Sequence, residues 1–476
     1  MTSQNNEEST VSFTAEPEAG AQNFPGEIIT LKWQIPDSYT FKLYQSGIGN
    51  PLPVDCNKEK EKKFSLGSSD VNFRLVGYDN DNNLALERTL SVKVLQPGWY
   101  DIKNTIFKGD PGYPDKTDGR YDLEPTLLLN ADDVKLYGIF RFTTGDKEQV
   151  HLFETDDPFG GWKFFQPSMS ETFSKSFSDY NNVFSTSPGN EDKRVFATSP
   201  GIYYNNKIWL IGGSQIHGTQ RSRGVWCFNP EDGKWENRGP ANWDHRMGHA
   251  VLKFQNKICV MGGYGRKGKA LIDIWTLDIG KDGANTTWTC LQEDDSAEEL
   301  QRWKGRCLFN PVAAGKEREE NIWLYGGTPE PLSTHLYNDA WLAEFKEAAE
   351  KGKKSELIWK KVDLAFMNTG DASRNPIASC LQLFQNRLHL FGKFKTIAAD
   401  KSEKVETQAY SLVNPSTNTW EEFPCEGLRG WGEDKTFSYQ VTAFNPAKTK
   451  RCMLIARALG NGTVNPVMKI YVPGLS

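Results

Sequence analysis

Between residues 27 and 35 apolar and polar side chains alternate, with Ile29, Leu31, Trp33 and Ile35 separated by Thr30, Lys32 and Gln34. A period of two gathers the apolar set on one face of a strand, so one face is buried and the other is wet. Similar short stretches recur at 11–15, 40–44, 62–66, 71–78 and 85–95, with turn-forming residues between them. This pattern predicts a small β-sandwich over residues 10–96, preceded by a disordered polar tail over residues 1–9. The sequence 79–83 (DNDNN) resembles the opening of a calcium loop. The Gly and Glu that such a loop needs at its sixth and twelfth positions are here Leu84 and Leu90, so an Asx-rich turn is expected instead.

Past Gln96 the alternation gives way to continuous apolar runs, and these repeat. The hexads at 134–139 (VKLYGI), 208–213 (IWLIGG), 258–263 (ICVMGG) and 322–327 (IWLYGG) are followed by weaker copies at 388–393 (LHLFGK) and 452–457 (CMLIAR). After five of them come a loop, a second apolar strand and a tryptophan, namely Trp162, Trp235, Trp288, Trp359 and Trp420. Another strand precedes three of the hexads, seen best at 246–252. The sixth copy has a good third strand at 467–472 but no tryptophan after it. Residues 98–102 (GWYDI) fit that missing slot, and an outer strand lent from the other end would cover the edge the sixth unit leaves bare.

An apolar strand ending in paired glycine, a further strand and a tryptophan together resemble the kelch repeat, one four-stranded blade of a β-propeller. The resemblance covers residues 97–476 and implies six blades, the last closed by the strand near Trp99. Hexads lie 50 to 74 residues apart, so the loops are enlarged. The N-terminal segment, with residues 25–33 (PGEIITLKW) and 73–78 (FRLVGY), resembles bacterial immunoglobulin-like domains. The fold class expected is therefore all-β: an immunoglobulin-like sandwich followed by a six-bladed kelch-type propeller.

Composition narrows the class. The chain has 476 residues, of which 15 are Trp, 27 Phe and 42 Gly, and its net charge is only −5. Abundant aromatics argue against disorder, and near-balanced charge argues against general nucleic-acid binding. No apolar run reaches the length of a membrane span. The first twenty residues hold four Glu and no Lys or Arg, unlike a secretory signal. Eight cysteines without a C-x-x-C pair, several inside apolar runs, read as free thiols. A cytoplasmic location is expected, or export without a cleavable signal.

Candidate chemistry falls in the loops after the glycine pairs and in those joining successive blades, which share one face in kelch-like propellers. They contribute His217, Arg221, Arg223, Tyr264, Arg266 and His335, together with Trp243, Arg302, Trp303, Arg374, Arg429 and Trp431. Arginine presents a planar fork for carboxylate or phosphate, and tryptophan a flat apolar face. Arg246 and His249 lie where kelch repeats often carry R-x-G-H and are read as structural. Lys267 and Lys269 are read as solvated loop charges. A lid or mobile stretch is expected over 168–193 and a short helix over 346–352.

Kelch-like propellers include enzymes. The copper site that galactose-oxidase-like proteins imply has no convincing counterpart among the six scattered histidines, and the iron motif of nitrile-specifier proteins is missing. The ring-centre arginines of sialic-acid mutarotase-like propellers belong to secreted proteins. No metal site and no cofactor are therefore expected. The sequence reads as a non-catalytic recognition protein that binds a protein or peptide ligand, with a carbohydrate-binding propeller or a kelch-fold enzyme as the alternatives.

Overall fold

The computed structural model describes residues 11–17, 23–102, 121–131, 135–144, 147–156, 163–164, 200–214, 221–280, 286–294, 302–316, 320–331, 333, 335–348, 355–364, 368–369, 372–397, 400–415, 417–428, 436–444, 453–460 and 468–473. Most of them are strand or turn. Among them the one helical element is a 3-10 turn at Glu426–Leu428, and no helix is long and apolar enough to cross a membrane.

Six strands build the sandwich: β1 (Ser12–Glu16), β2 (Ile28–Gln34), β3 (Thr40–Gln45), β4 (Glu61–Ser65), β5 (Val71–Tyr78) and β6 (Leu84–Val92). They form two three-stranded sheets, β1-β2-β4 and β3-β5-β6. The alternation along β2 has the expected consequence. Ile29, Leu31 and Trp33 enter a core shared with Leu43, Phe73 and Leu75, while Ile28, Lys32 and Gln34 stay exposed. The Trp33 indole N–H is satisfied by the Cys56 carbonyl at 2.9 Å. Residues 79–83 are an Asx turn, in which an Asp79 carboxylate oxygen accepts the Asp81 and Asn83 amides at 2.9 and 2.8 Å.

Among the described residues, the rest of the chain forms six antiparallel sheets. The first contains Tyr121–Ala131, Lys135–Thr144, Lys147–Thr155 and Lys163–Phe164, and the second Gly201–Tyr204, Lys207–Ser214, Arg221–Asn229 and Lys234–Pro240. The third contains Ala250–Phe254, Lys257–Met261, Ile274–Ile279 and Thr286–Gln292, and the fourth Val312–Ala314, Asn321–Tyr325, Ala340–Lys346 and Glu356–Val362. The fifth contains Ala372–Phe384, Arg387–Ile397, Glu403–Asn414 and Thr419–Glu422. The sixth has Thr436–Phe444, Met453–Gly460 and Met468–Val472, and its fourth strand is β7 (Gly98–Ile102) from far upstream. The ring of Trp99 lies 5.3 Å from that of Tyr471. First strands of successive sheets lie side by side, and the sixth returns to the first. This is a closed six-bladed β-propeller with its last blade completed as the sequence predicts.

Packing explains the continuous apolar hexads. The second strand of a blade is covered on both faces by neighbouring blades, so both of its residue sets must be apolar. Ile208 and Leu210 pack toward blade one, whereas Trp209 and Ile211 pack toward blade three. Ile258 and Val260 join the core between blades two and three, and Cys259 and Met261 the core between blades three and four. Trp235, Trp288, Trp359 and Trp420 each sit in the core against the preceding blade. The paired glycines are steric requirements. Gly263 has a φ of +100° and a Cβ there would stand 2.8 Å from the Cβ of His249, while Gly327 has a φ of +88° and a Cβ would stand 2.9 Å from that of Phe309.

Candidate functional site

The loops entering blades three and four are held by two copies of one buried device. Between blades two and three, Arg246 donates to both carboxylate oxygens of Asp273 at 2.7 and 2.6 Å and to the Gly262 carbonyl at 2.8 Å. Trp275 donates its indole N–H to Asp273 at 2.8 Å, and the Arg246 guanidinium lies 4.8 Å from the Trp243 ring centre. Between blades three and four, Arg306 donates to Asp339 at 2.8 and 3.0 Å and to the Gly326 carbonyl at 2.7 Å. Here Trp341 donates to Asp339 at 2.7 Å, and the guanidinium stacks over Tyr337 at 4.5 Å and Trp303 at 5.7 Å. Burial alone would raise the Asp339 carboxyl, but its bonds and charge contact with Arg306 outweigh that and hold it below the usual carboxylate range.

Main-chain bonds lock the same segments together. The Gly263 amide donates to the Arg306 carbonyl, the Leu308 amide to the Gly248 carbonyl, and Cys307 and Thr328 exchange both amide bonds, all at 2.8 Å. The loop face is therefore a rigid frame at blades two to four.

This frame corrects part of the expected site. Trp243 and Trp303 are not available as ligand platforms: they are 2% and 1% exposed. Trp243 meets Trp288 edge-on at 5.6 Å and Trp303 lies 5.8 Å from Trp359, so each extends a core between blades. The structural reading of Arg246 and His249 agrees with their burial. His249 donates its Nε2–H to the Ile211 carbonyl at 3.1 Å, and burial, with the nearby Arg246 charge, pushes its pKa down to about 3.

The remaining candidates divide. Arg221 is half-buried, its guanidinium 4.8 Å from the Tyr264 ring centre and bonded to the Gly265 carbonyl. Arg223 reaches the Ala241 carbonyl at 3.4 Å. Arg266 is exposed in the loop after the glycine pair of blade three, and Arg302 is half-buried in the loop before blade four. His335 is exposed, its ring 5.6 Å from that of Tyr337. Arg374 lies in the first strand of blade five, and its side chain is outside the described residues, as are His217, Arg429, Trp431 and the stretch 168–193. The helix expected over 346–352 begins instead with the last residue of a strand, Lys346, and residues 349–354 are outside the described set.

The structure thus brings Arg221 and Tyr264 together at one corner of the loop face, with Arg266 and Arg302 in the two segments that approach each other beside them. Arg221 contacts Gly265, and Gly305, just past Arg302, abuts Ala270, where an added Cβ would stand 2.5 Å from the Ala270 carbonyl oxygen. Lys267, Lys269 and Lys304 sit exposed in the same loops. The sequence reading missed Arg306, Asp273 and Asp339. Their signal is a shared spacing: Trp243 and Trp303 each precede an arginine by three residues, and Asp273 and Asp339 each precede a tryptophan by two.

His389 and the thiols of Cys259, Cys307 and Cys380 are withdrawn from solvent. His389 donates its Nε2–H to the Phe384 carbonyl at 3.2 Å and accepts from the Ser411 hydroxyl at Nδ1 at 2.8 Å, and burial pushes its pKa down to about 4. Burial pushes the Cys307 thiol up to about 11 and the thiols of Cys259 and Cys380 higher still. Among the described residues no three His, Cys, Asp or Glu side chains are grouped closely enough to hold a metal ion.

No protein-family model matches the chain. It is similar to the dynein alpha chain of the flagellar outer arm of Chlamydomonas reinhardtii, with 24% identity over 157 residues, which is 32% of this chain and 3% of that protein. The chain therefore spans a small fraction of that relative's length. Among solved structures, YjhT shares 12% identity over 75% of this chain and 95% of its own, with a TM-score of 0.37. An auxiliary nutrient binding protein from Bacteroides ovatus shares 10% identity over 97% of both chains, with a TM-score of 0.28. A thermostable family-43 glycoside hydrolase shares 10% over 57% of this chain and 86% of its own, with a TM-score of 0.30. Similarity at this level leaves function to the residues themselves.

Proposed function

We propose that the chain is a non-catalytic recognition protein of the kelch type, with an immunoglobulin-like sandwich over residues 10–96 and a propeller over 97–476 that holds a protein or peptide ligand on its loop face. One observation carries this reading: the loop face at blades two to four is clamped by buried ion pairs yet presents exposed Arg266, Lys267, Lys304 and His335. A preorganised polar surface limits the ordering cost of association. Several chemically versatile groups are buried: burial lowers the pKa values of His249 and His389 and raises those of the Cys259, Cys307 and Cys380 thiols. A sugar ligand favours an exposed aromatic platform, which Trp243 and Trp303 do not supply and half-buried Tyr264 supplies only in part. Buried free thiols at Cys259, Cys307 and Cys380 support a reducing, cytoplasmic setting.

The test is a displayed random-peptide library selected against the full chain, with the enriched peptides titrated against wild type and against Tyr264→Ala/His335→Ala. Enriched peptides that lose affinity on this substitution support the reading. Enrichment indifferent to it, or a large thermal stabilisation by copper or iron that chelator reverses, contradicts it.

A further inference from the structure

We propose that the outward face of the sandwich sheet β3-β5-β6 binds an uncharged oligosaccharide, a second site that does not depend on the recognition reading of the propeller. Alternate residues of β3 and β5, among them Phe41, Leu43, Phe73 and Leu75, fill the sandwich core. Lys42, Tyr44, Arg74 and Val76 therefore project from the other face. The register sets Val76 between Lys42 and Glu87, with Tyr44 opposite Arg74 and Tyr78 opposite Thr40. Tyr44 thus stands four residues along from the position facing Tyr78, a separation of about 13 Å at the rise of a strand. Yet the two phenol oxygens are hydrogen-bonded at 3.2 Å. Both side chains therefore lie down along the sheet and meet tip to tip over the row of Lys42 and Val76. Val76 is only 2% exposed although it faces outward, which a roof of two rings explains. The result is a flat aromatic strip built from two half-buried tyrosines.

The chemistry of the strip selects its ligand. A sugar ring offers an apolar C–H face to an aromatic plane and hydroxyls at its rim, and the Tyr44 and Tyr78 hydroxyls both give and accept hydrogen bonds. A strip two rings long holds more than one sugar, so a chain rather than a monosaccharide is the expected ligand. Charge on this face is largely spent internally. Arg74 donates to both Glu87 oxygens at 2.8 and 3.2 Å, and the Lys42 ammonium lies 4.9 Å from the Tyr78 ring centre. Asp79, just past Tyr78, accepts the amides of its own turn. Compensated charges of this kind match an uncharged ligand. The exposed Arg74–Glu87 pair sets fixed donors beside fixed acceptors, which suits hydroxyls because each of them both donates and accepts. An acidic chain gains no unpaired cluster of cations here, and the rival occupant is a second copy of this chain.

The experiment is titration calorimetry of the full chain with cellohexaose and chitohexaose as uncharged probes and hexagalacturonate as the acidic one, at low and high salt. The proposal expects at least one uncharged probe to bind with an affinity that salt leaves unchanged, and more tightly than hexagalacturonate. Tyr44→Ala/Tyr78→Ala, which removes the strip, should weaken that binding by about tenfold or more. Because this change also bares Val76, the conservative variant Tyr44→Phe/Tyr78→Phe is measured beside it. It keeps the roof, and loss of the hydroxyl bonds alone should weaken binding by about threefold. Lys42→Gln should leave the affinity within about twofold, since no charge is needed. Binding by neither uncharged probe, binding that neither tyrosine variant changes, or tighter, salt-sensitive binding of hexagalacturonate lost in Lys42→Gln overturns the proposal. A dimer of the full chain that Tyr44→Ala/Tyr78→Ala abolishes assigns the strip to a second copy and overturns it too. Peptide binding at the propeller is read separately, so failure of either site leaves the other standing.

Discussion

Two buried imidazoles set a stability loss on mild acidification. His249 and His389 have pKa values pushed down to about 3 and about 4 by burial, from the ordinary 6.5 they regain on unfolding. Between those limits the unfolded chain binds more protons than the folded one, so stability is full above the unfolded value and falls as pH drops below it. At pH 5 each ring sits about 1.5 pH units below its unfolded pKa, which at 1.36 kcal/mol per unit is about 2 kcal/mol lost per histidine relative to neutral pH. The size depends on the unfolded pKa, provided that the folded value stays well below 5, so it is insensitive to how deep the depression runs. The assay is urea unfolding followed by tryptophan fluorescence at pH 7 and pH 5, for wild type and for His249→Asn, His389→Asn and the double variant. Each single variant is expected to shrink the pH 7 to pH 5 penalty by about 2 kcal/mol, and the double variant by about 4, whatever it costs in absolute stability. The other four histidines are common to all the variants and cancel. An equal penalty in wild type and double variant would refute the claim that these rings are held neutral, and with it part of the case that they are withdrawn from catalysis.

Arg246→Met is expected to cost about 3–5 kcal/mol by stranding buried Asp273, and Arg246→Met/Asp273→Leu to recover part of that, measured by denaturant midpoint at constant m. Gly263→Ala, with positive φ and a clash at His249 Cβ, should cost about 1–3 kcal/mol, whereas Gly67→Ala, with open space around it, should lie within about 0.5 kcal/mol of wild type. Deleting residues 98–104 is expected to lower the propeller's melting temperature far more than deleting residues 1–95, because only the first removes the outer strand of blade six. Equal melting temperatures for the two truncations would count against closure by β7.

The strands and the ring were legible because their causes are local or repeated. Alternation along β2 and the two-sided apolar hexads follow from which faces are covered, and the glycine pairs from a positive φ that recurs in three blades. The site was less legible because the clamps join residues 27 and 33 positions apart, as in Arg246 with Asp273 and Arg306 with Asp339. One copy of such a pair looks like two unrelated charged residues. Superposing the two Trp-x-x-Arg segments would have shown that Trp243 and Trp303 belong to the repeat, and hence to the core rather than to a ligand platform. Arg221 and Arg266 carry no such repeat signal, and their neighbourhood depends on which blades end up adjacent.

The claim that the loop face is the recognition surface is tested most directly by hydrogen exchange on the full chain, with and without the best-enriched library peptide. The account predicts slowed exchange over residues 264–270 and 302–308, with the outer strand at 234–240 unchanged. Protection confined to the sandwich at residues 11–95, or to outer strands such as 234–240, would contradict it.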